Sequence, residues 1–201
     1  MTLSNSQAAW RQRCLENWGL PRRVDLMRLA RGGQGLSGAF AVNRLDRLSE
    51  DLAQSIEHTS LPGVDDKGVV WFEVSASART GRRNTAVLKV QSVLGLTCQR
   101  CMQTLWLEVD EQAVFELFGS ESQMQSALAS EEIEPDGPEP LLVDGPLDLV
   151  QLIEDQLILA VPFVPKHEDC QAAKTEAGEP IQTPERQSPF KVLGQLKGDP
   201  K

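Results

Sequence analysis

Two short motifs, separated by 65 residues (102–166), constrain the fold of this chain most strongly. Cys98-Gln99-Arg100-Cys101 places two thiols at the spacing of a zinc knuckle, and His167-Glu168-Asp169-Cys170 repeats that spacing with a histidine and a cysteine. Tetrahedral zinc takes four such sulfur and nitrogen ligands. We therefore predict a structural zinc site at Cys98, Cys101, His167 and Cys170, because four protein ligands leave no open position for catalysis.

The residues leave three other interpretations of these cysteines open. They are small hydrophobic residues at a turn, a redox pair, or the unmetallated relic of a metal site. A thioredoxin-like pair needs its second cysteine at a helix N-terminus, whereas the residues on both sides of Cys98–Cys101 alternate like strands. We expect reduced thiols or metal ligands rather than disulfides, and we assign no role to Cys14.

Alternation of apolar and polar residues predicts four antiparallel strands in the middle of the chain. Their apolar positions run over 70–76, 88–96, 105–109 and 113–117, and the Cys98–Cys101 step forms the turn between the second and third. The turn between the first two, 79–84, carries three arginines. These patterns predict an α+β fold with a small antiparallel β-sheet.

Helical patterns are fewer. A short helix is expected at Ala8–Trp18, within otherwise irregular first forty residues. The two main helices are predicted at about Asn43–Ile56, with Asn43 as the N-cap, and at Leu147–Val161, which is apolar enough to be buried on more than one side. Residues 119–146 are predicted to form an acidic loop that is either mobile or a partly ordered excursion.

The predicted organisation has three parts. Residues 1–21 form an N-terminal extension, 22–170 a single α+β domain, and 171–201 a mostly disordered, flexible C-terminal region with a short helix at 189–197. No run of roughly 18 apolar residues is present, and 1–20 lack the apolar centre of a signal peptide. We expect a cytoplasmic protein that has no membrane partner and no small-molecule substrate.

Charge is distributed unevenly. Residues 1–105 carry a net charge of +5 and residues 106–201 a net charge of −14, with no basic residue over 101–165. Such polarity suits a protein that meets nucleic acid with one face and a basic partner with another, although a solvated acidic loop also explains it. Arg79, Arg82, Arg83 and Arg100 are the candidate phosphate contacts. The alternative for the hairpin arginines is a solvated turn.

Catalytic motifs are missing, which predicts a non-enzymatic protein. The chain has two histidines and lacks a nucleophile elbow, a Walker loop and an H-E-x-x-H helix. Gly33–Gly38 matches the letters G-x-G-x-x-G, but no strand–turn–helix pattern surrounds it, so we interpret it as a flexible loop. Glu154 and Asp155 point in different directions on a helix and are expected to cap its solvent edge or to meet a basic partner.

Three segments resemble the YceD family, named large ribosomal RNA subunit accumulation proteins. They are Leu96–Cys101, Asp148–Pro165 and Pro189–Leu193, in the family's order and approximate spacing. The resemblance implies a non-enzymatic factor for the synthesis, processing or stability of large-subunit (23S) ribosomal RNA, with that RNA or its precursor particle as partner. The family's second cysteine cluster varies, and here His167 and Cys170 stand in its place.

Two alternatives to this function remain open from the sequence. One is an escort for a basic large-subunit ribosomal protein, without RNA contact. The other is a C-x-x-C thiol-redox protein, which tight occupancy by zinc would exclude.

Overall fold

The computed structural model describes residues 5–19, 22–48, 52, 67–78, 83–130 and 137–172. Its α-helices in these ranges are α1 (Asn5–Glu16), α2 (Leu26–Gly32), α3 (Glu121–Ala129) and α4 (Leu149–Ala160). Its strands are β1 (Arg23–Val24), β2 (Gly35–Ala41), β3 (Val69–Ser77), β4 (Thr85–Thr97), β5 (Thr104–Phe118), β6 (Glu139–Leu142) and β7 (Leu147–Asp148). The α+β prediction is confirmed.

The main sheet has five strands in the order β2-β3-β4-β5-β6. Its first four strands are antiparallel neighbours, and β4 pairs with β5 from Thr85↔Glu116 to Thr97↔Thr104. Strand β6 runs parallel to the end of β5, because the intervening chain crosses over through α3. A separate two-stranded pair joins β1 to β7 and brings the start of α4 beside Arg23.

The larger core lies between the sheet and α4. Every second residue of the central strands points into it, as the predicted alternation requires. Leu149, Ile153 and Leu157 cover this face from α4, and Leu26 and Ala30 cover it from α2. Buried strand residues in this cluster include Phe40, Val70, Phe72, Val74, Leu88, Val90, Leu94, Leu96, Val109 and Phe115.

Helix α1 packs on the opposite face of the sheet, over β2 and β3. Trp10 and Cys14 are buried against Ala39, Val69 and Trp71. Burial and the nearby Glu73 carboxylate raise the pKa of the Cys14 thiol to about 11, so this thiol is protonated at neutral pH. The predicted helix over Ala8–Trp18 is confirmed, with a start at Asn5.

The predicted helix over Asn43–Ile56 is wrong where the structure describes it. Asn43 lies inside a 3-10 turn, Val42–Arg44, rather than at an N-cap, and Leu52 forms an isolated antiparallel bridge with Leu96. Leu45, Leu48 and Leu52 are nevertheless buried. Their helical spacing therefore comes from packing of an irregular segment onto the core, and the rest of this prediction lies outside the described residues.

The third and fourth predicted strands form one continuous strand in the structure. The apolar sets at 105–109 and 113–117 belong to the single fifteen-residue strand β5. The acidic loop over 119–146 is also wrong in part, since it contains α3 and β6. Ser120 begins α3 by accepting a hydrogen bond from the Gln123 N–H, a standard N-cap.

Within the first forty residues, the described ranges 5–19 and 22–40 are mostly regular rather than irregular, since α1, β1, α2 and β2 occupy most of them. Gly33 ends α2 in the left-handed conformation, with φ 58°, and Gly35 begins β2. The interpretation of Gly33–Gly38 as a flexible loop is therefore wrong. A dinucleotide-binding motif needs a helix that begins after its glycines, whereas here α2 ends before them, which agrees with the rejection of a dinucleotide site.

The apolar helix predicted over Leu147–Val161 is confirmed as α4, but it is less buried than predicted. Asp148 caps it by accepting the Gln151 N–H. Leu159 is 75 % exposed and Ile158 37 % exposed, so one side of its last turn faces solvent. Among the helices described, none is long and apolar enough to cross a membrane.

Candidate metal centre

The first half of the centre is the turn that joins β4 to β5. The Cys98 N–H donates to the Gln103 carbonyl at 2.9 Å, and the Met102 N–H donates to the Cys98 carbonyl at 2.9 Å. Met102 takes φ 60°, a left-handed conformation that is uncommon for a residue with a side chain. The tight turn closes so that both thiols lie near the end of the hairpin.

The second half is the chain that leaves α4. Its position is fixed by the Gln99 N–H, which donates to the Pro165 carbonyl at 2.9 Å. Arg100 adds three contacts: its guanidinium donates to the His167 carbonyl at 2.6 Å, the Glu168 carbonyl at 3.0 Å and the Cys170 sulfur at 3.0 Å. The middle of the C-x-x-C motif therefore holds the H-x-x-C motif in place.

Four ligand atoms, one from each of Cys98, Cys101, His167 and Cys170, lie within 4.8 Å of one another. The sulfurs of Cys98 and Cys170 are 3.7 Å apart, and the Cys101 sulfur is 3.4 Å from His167 Nδ1. Ideal tetrahedral zinc, with bonds of about 2.3 Å to sulfur and about 2.0 Å to nitrogen, separates such atoms by about 3.5–3.8 Å. The cluster could therefore hold a metal ion, and the 3.7 Å and 3.4 Å separations both fit zinc.

His167 is oriented by its second ring nitrogen. Nε2 lies 3.2 Å from the backbone carbonyl of Thr104, an acceptor that requires a proton on Nε2. That proton leaves the lone pair on Nδ1, which is the nitrogen that faces the Cys101 sulfur. Metal-binding histidines are commonly fixed by such a carbonyl, and this contact is not visible in the sequence motif.

The two knuckle thiols differ in acidity. Burial opposes ionisation of Cys98, but N–H groups of Cys101, Arg100 and His167 point at its sulfur and outweigh burial, which lowers its pKa to about 5. For Cys101, the Gln103 N–H favours the thiolate, while burial and the neighbouring Cys98 and Cys170 sulfurs together raise the pKa above its usual value. The backbone N–H groups thus favour the thiolate form at Cys98.

The backbone around Cys98 and Cys101 differs from that of a thioredoxin-like redox pair. Cys98, Cys101 and Cys170 are free thiols. Cys98 follows a strand and Cys101 leads into another strand, so neither lies at the helix N-terminus that activates a thioredoxin-like pair.

Of the candidate phosphate contacts, the structure describes Arg83 and Arg100, which lie at opposite ends of β4. Arg79 and Arg82 lie outside the described residues. Arg83 lies at the base of the β3–β4 turn, with its guanidinium 3.6 Å from Glu116 and 4.9 Å from the centre of the Phe118 ring. Arg100 is at the opposite end of β4, where it joins the two halves of the metal centre, a role that its position between two cysteines could have suggested.

Glu154 does not lie at a solvent edge, as one of the two sequence-based alternatives predicted, but is buried beside Arg47 of the same chain. Its carboxylate is 4 % exposed and accepts the backbone N–H groups of Arg47 and Leu48 at 2.7 Å and 3.0 Å. The Arg47 guanidinium binds Glu154 at 3.0 Å and Asp155 at 2.7 Å. This cluster anchors α4 and has no catalytic geometry.

Comparison with known proteins connects this architecture to one family. The model of the family "Large ribosomal RNA subunit accumulation protein YceD" matches residues 86–197, which include the entire cluster. The chain is also 27 % identical over 187 residues to a Haemophilus influenzae protein of that name, covering 89 % of this chain and 96 % of the relative. No solved structure matches at a significant level. Since the family model matches more than half of the chain, this protein belongs to the YceD family.

Proposed function

We propose that this protein is a non-enzymatic cytoplasmic factor for the synthesis, processing or stability of large-subunit ribosomal RNA, acting in ribosome biogenesis. The observation that carries the proposal is the nearly end-to-end match to a relative named for large ribosomal RNA subunit accumulation. A match of that extent includes the sheet, α4 and both halves of the metal centre. A shared role therefore requires no additional domain.

The metal centre supports a scaffold rather than a catalyst. Zinc held by Cys98, Cys101, His167 and Cys170 would have four protein ligands and no position for water or substrate. Its chemistry would be to neutralise the thiolates and to join the end of β4 to the segment after α4. We assign zinc on the sulfur-rich donor set and the ligand separations.

A basic end of the molecule supports contact with RNA. Arg28 and Arg31 are exposed on α2. This helix lies beside the β3–β4 turn, since the Asn84 side chain is 3.6 Å from the Met27 sulfur. Arg83 belongs to the same turn, and Arg79 and Arg82 complete it in the sequence. Several arginines grouped in this way would bind phosphates and release counterions.

The proposal is tested by ribosome profiles of cells that lack the gene. We expect less large-subunit RNA and a smaller large-subunit peak on a sucrose gradient, with the small subunit unaffected, and restoration by the wild-type gene. Equal subunit ratios with and without the gene, under several growth conditions, would contradict the proposal.

RNA contact is tested separately by replacing Arg79, Arg82 and Arg83. The triple change to Glu should abolish binding to large-subunit RNA, and the triple change to Lys should retain charge-driven binding with its salt dependence. Normal RNA binding by the Glu variant would exclude the turn as the contact. Loss of a basic ribosomal protein from pull-downs, with RNA binding intact, would favour the escort function.

A further inference from the structure

Strand β5 has a long side without a strand neighbour. It pairs with β4 along one side from Thr104 to Glu116, whereas β6 pairs with the other side only at Phe115–Phe118. Among the described residues, Leu105–Val114 therefore has no strand on the β6 side. These ten residues span about 34 Å and present unused backbone donors and acceptors to any strand that approaches.

The two faces of this open edge differ in chemistry. On the face away from the larger core, Glu108 and Asp110 are exposed carboxylates, and within the described part of the chain no ion pair or hydrogen bond is recorded for either. Glu111 adds a third exposed carboxylate to the edge. The open edge contains no basic residue.

On the face toward the core, Leu105 and Leu107 are only half-buried, although Leu107 packs against the buried cluster. A strand added beside them would cover the remaining apolar surface of both side chains. An edge that served only to prevent aggregation would gain nothing from leaving two leucines partly uncovered.

We infer that the open edge of β5 binds an extended, basic segment of another protein by strand addition. Main-chain hydrogen bonds to Leu105–Val114 would supply affinity, and alternate side chains would supply selectivity. The matching segment has Lys or Arg at every second residue, opposite Glu108 and Asp110, and apolar residues between them, over Leu105 and Leu107. This inference does not depend on the proposed role in ribosomal RNA accumulation.

The probe is a labelled ten-residue peptide that alternates lysine with valine, titrated into the full-length protein and followed by fluorescence anisotropy. A control peptide with proline in place of valine and with the backbone nitrogen of every lysine methylated keeps all five charges but has no N–H to donate on either side, and it cannot extend a ladder. We expect binding of the first peptide, weakened by salt, and at least about tenfold weaker binding of the control. Hydrogen exchange of the backbone amides of 105–114 should slow only with the first peptide.

Matched protein variants test the position of the site. Glu108→Lys with Asp110→Lys should weaken binding about tenfold, because two attractive charges become repulsive. Glu121→Lys with Asp144→Lys makes the same change in net charge at exposed positions off the edge and should change binding less than about twofold.

The inference is overturned by any of three results. They are equal binding of the proline peptide, which means attraction by charge alone; equal weakening by the two pairs of variants; and no binding of the lysine–valine peptide at up to about 1 mM in low salt.

Discussion

Helix α4 is anchored to the rest of the fold at two places. One anchor is a buried carboxylate with its hydrogen-bond donors, and the other is a cluster of possible metal ligands. In its middle, the buried Glu154 carboxylate accepts two backbone N–H groups and binds Arg47, so every partner is supplied by the chain. Beyond its end, three thiols and an imidazole lie together, and their thiolate forms repel one another unless a cation is present. The first anchor is complete after folding, whereas the second, with the metal that we propose for it, would make stability depend on metal supply.

The largest effect expected is that of metal removal. A chelator should lower the melting temperature of the zinc-loaded protein, because a ligand that binds only the folded state stabilises it. At a free metal concentration of about 1,000 times Kd, this stabilisation is about 4 kcal/mol. Cys98→Ser with Cys101→Ser should melt at the lower temperature and show no response to chelator. Zinc content well below one per chain in protein purified without chelator, with melting unaffected by chelation, would contradict a structural metal.

The carboxylate anchor is tested by Glu154→Ala. This change leaves two buried N–H groups without their acceptor and should lower the free energy of unfolding by about 3 kcal/mol, measured with denaturant. Asp155→Ala is the matched control, since Asp155 binds the same guanidinium from a side chain that is 45 % exposed, and it should cost less than about 1 kcal/mol. If both changes lowered the free energy of unfolding equally, the burial of Glu154 would not be what makes it an anchor.

A smaller effect is expected at the residue that joins the two metal-binding motifs. Arg100→Met keeps an unbranched apolar stem but removes the guanidinium and its contacts to His167, Glu168 and Cys170, and should weaken metal binding about tenfold, or about 1.4 kcal/mol. Competition with a coloured chelator measures this affinity. Gln99→Met is the control at the neighbouring exposed position and should bind metal normally.

The smallest effect is expected at the strained position of the knuckle. Met102→Gly should stabilise the metal-loaded protein by about 0.5–1 kcal/mol, because glycine adopts a positive φ without the steric cost that methionine bears. Gln103→Gly, at the next residue, should have the opposite sign in the same denaturant experiment. Destabilisation by both changes would show that the Met102 conformation is not strained.

Much of the metal centre and the sheet could be predicted from the sequence. The repeated spacing of Cys98/Cys101 and His167/Cys170 identified the four residues that the structure brings together, and alternation identified β3 and β4. Contacts through main-chain atoms could not be predicted in the same way. The Thr104 carbonyl that orients His167 has no sequence signal, since every residue has a carbonyl.

Long-range packing explains the errors. Leu45, Leu48 and Leu52 follow helical spacing without an α-helix over 42–48, because the core and the buried Glu154 position this segment. The polar residues at 110–112 suggested a break in what is one strand, since the sequence does not show that β5 has an open edge where polar side chains face solvent. The acidic composition of 119–146 favoured a loop prediction, although Ser120 is a residue type that commonly begins a helix.

Helix α4 follows every strand of the main sheet in the sequence, and this order has a consequence during synthesis. A ribosome adds about 5–20 residues per second, so the 65 residues between Cys101 and His167 take roughly 3–13 s. Once β5 has been added within that interval, a nascent chain can pair its first four sheet strands, while Leu88, Val90 and Leu94 still lack α4 as a cover. The last helix and the second half of the metal centre emerge together, and the chain changes in one late step from an aggregation-prone sheet to a closed protein.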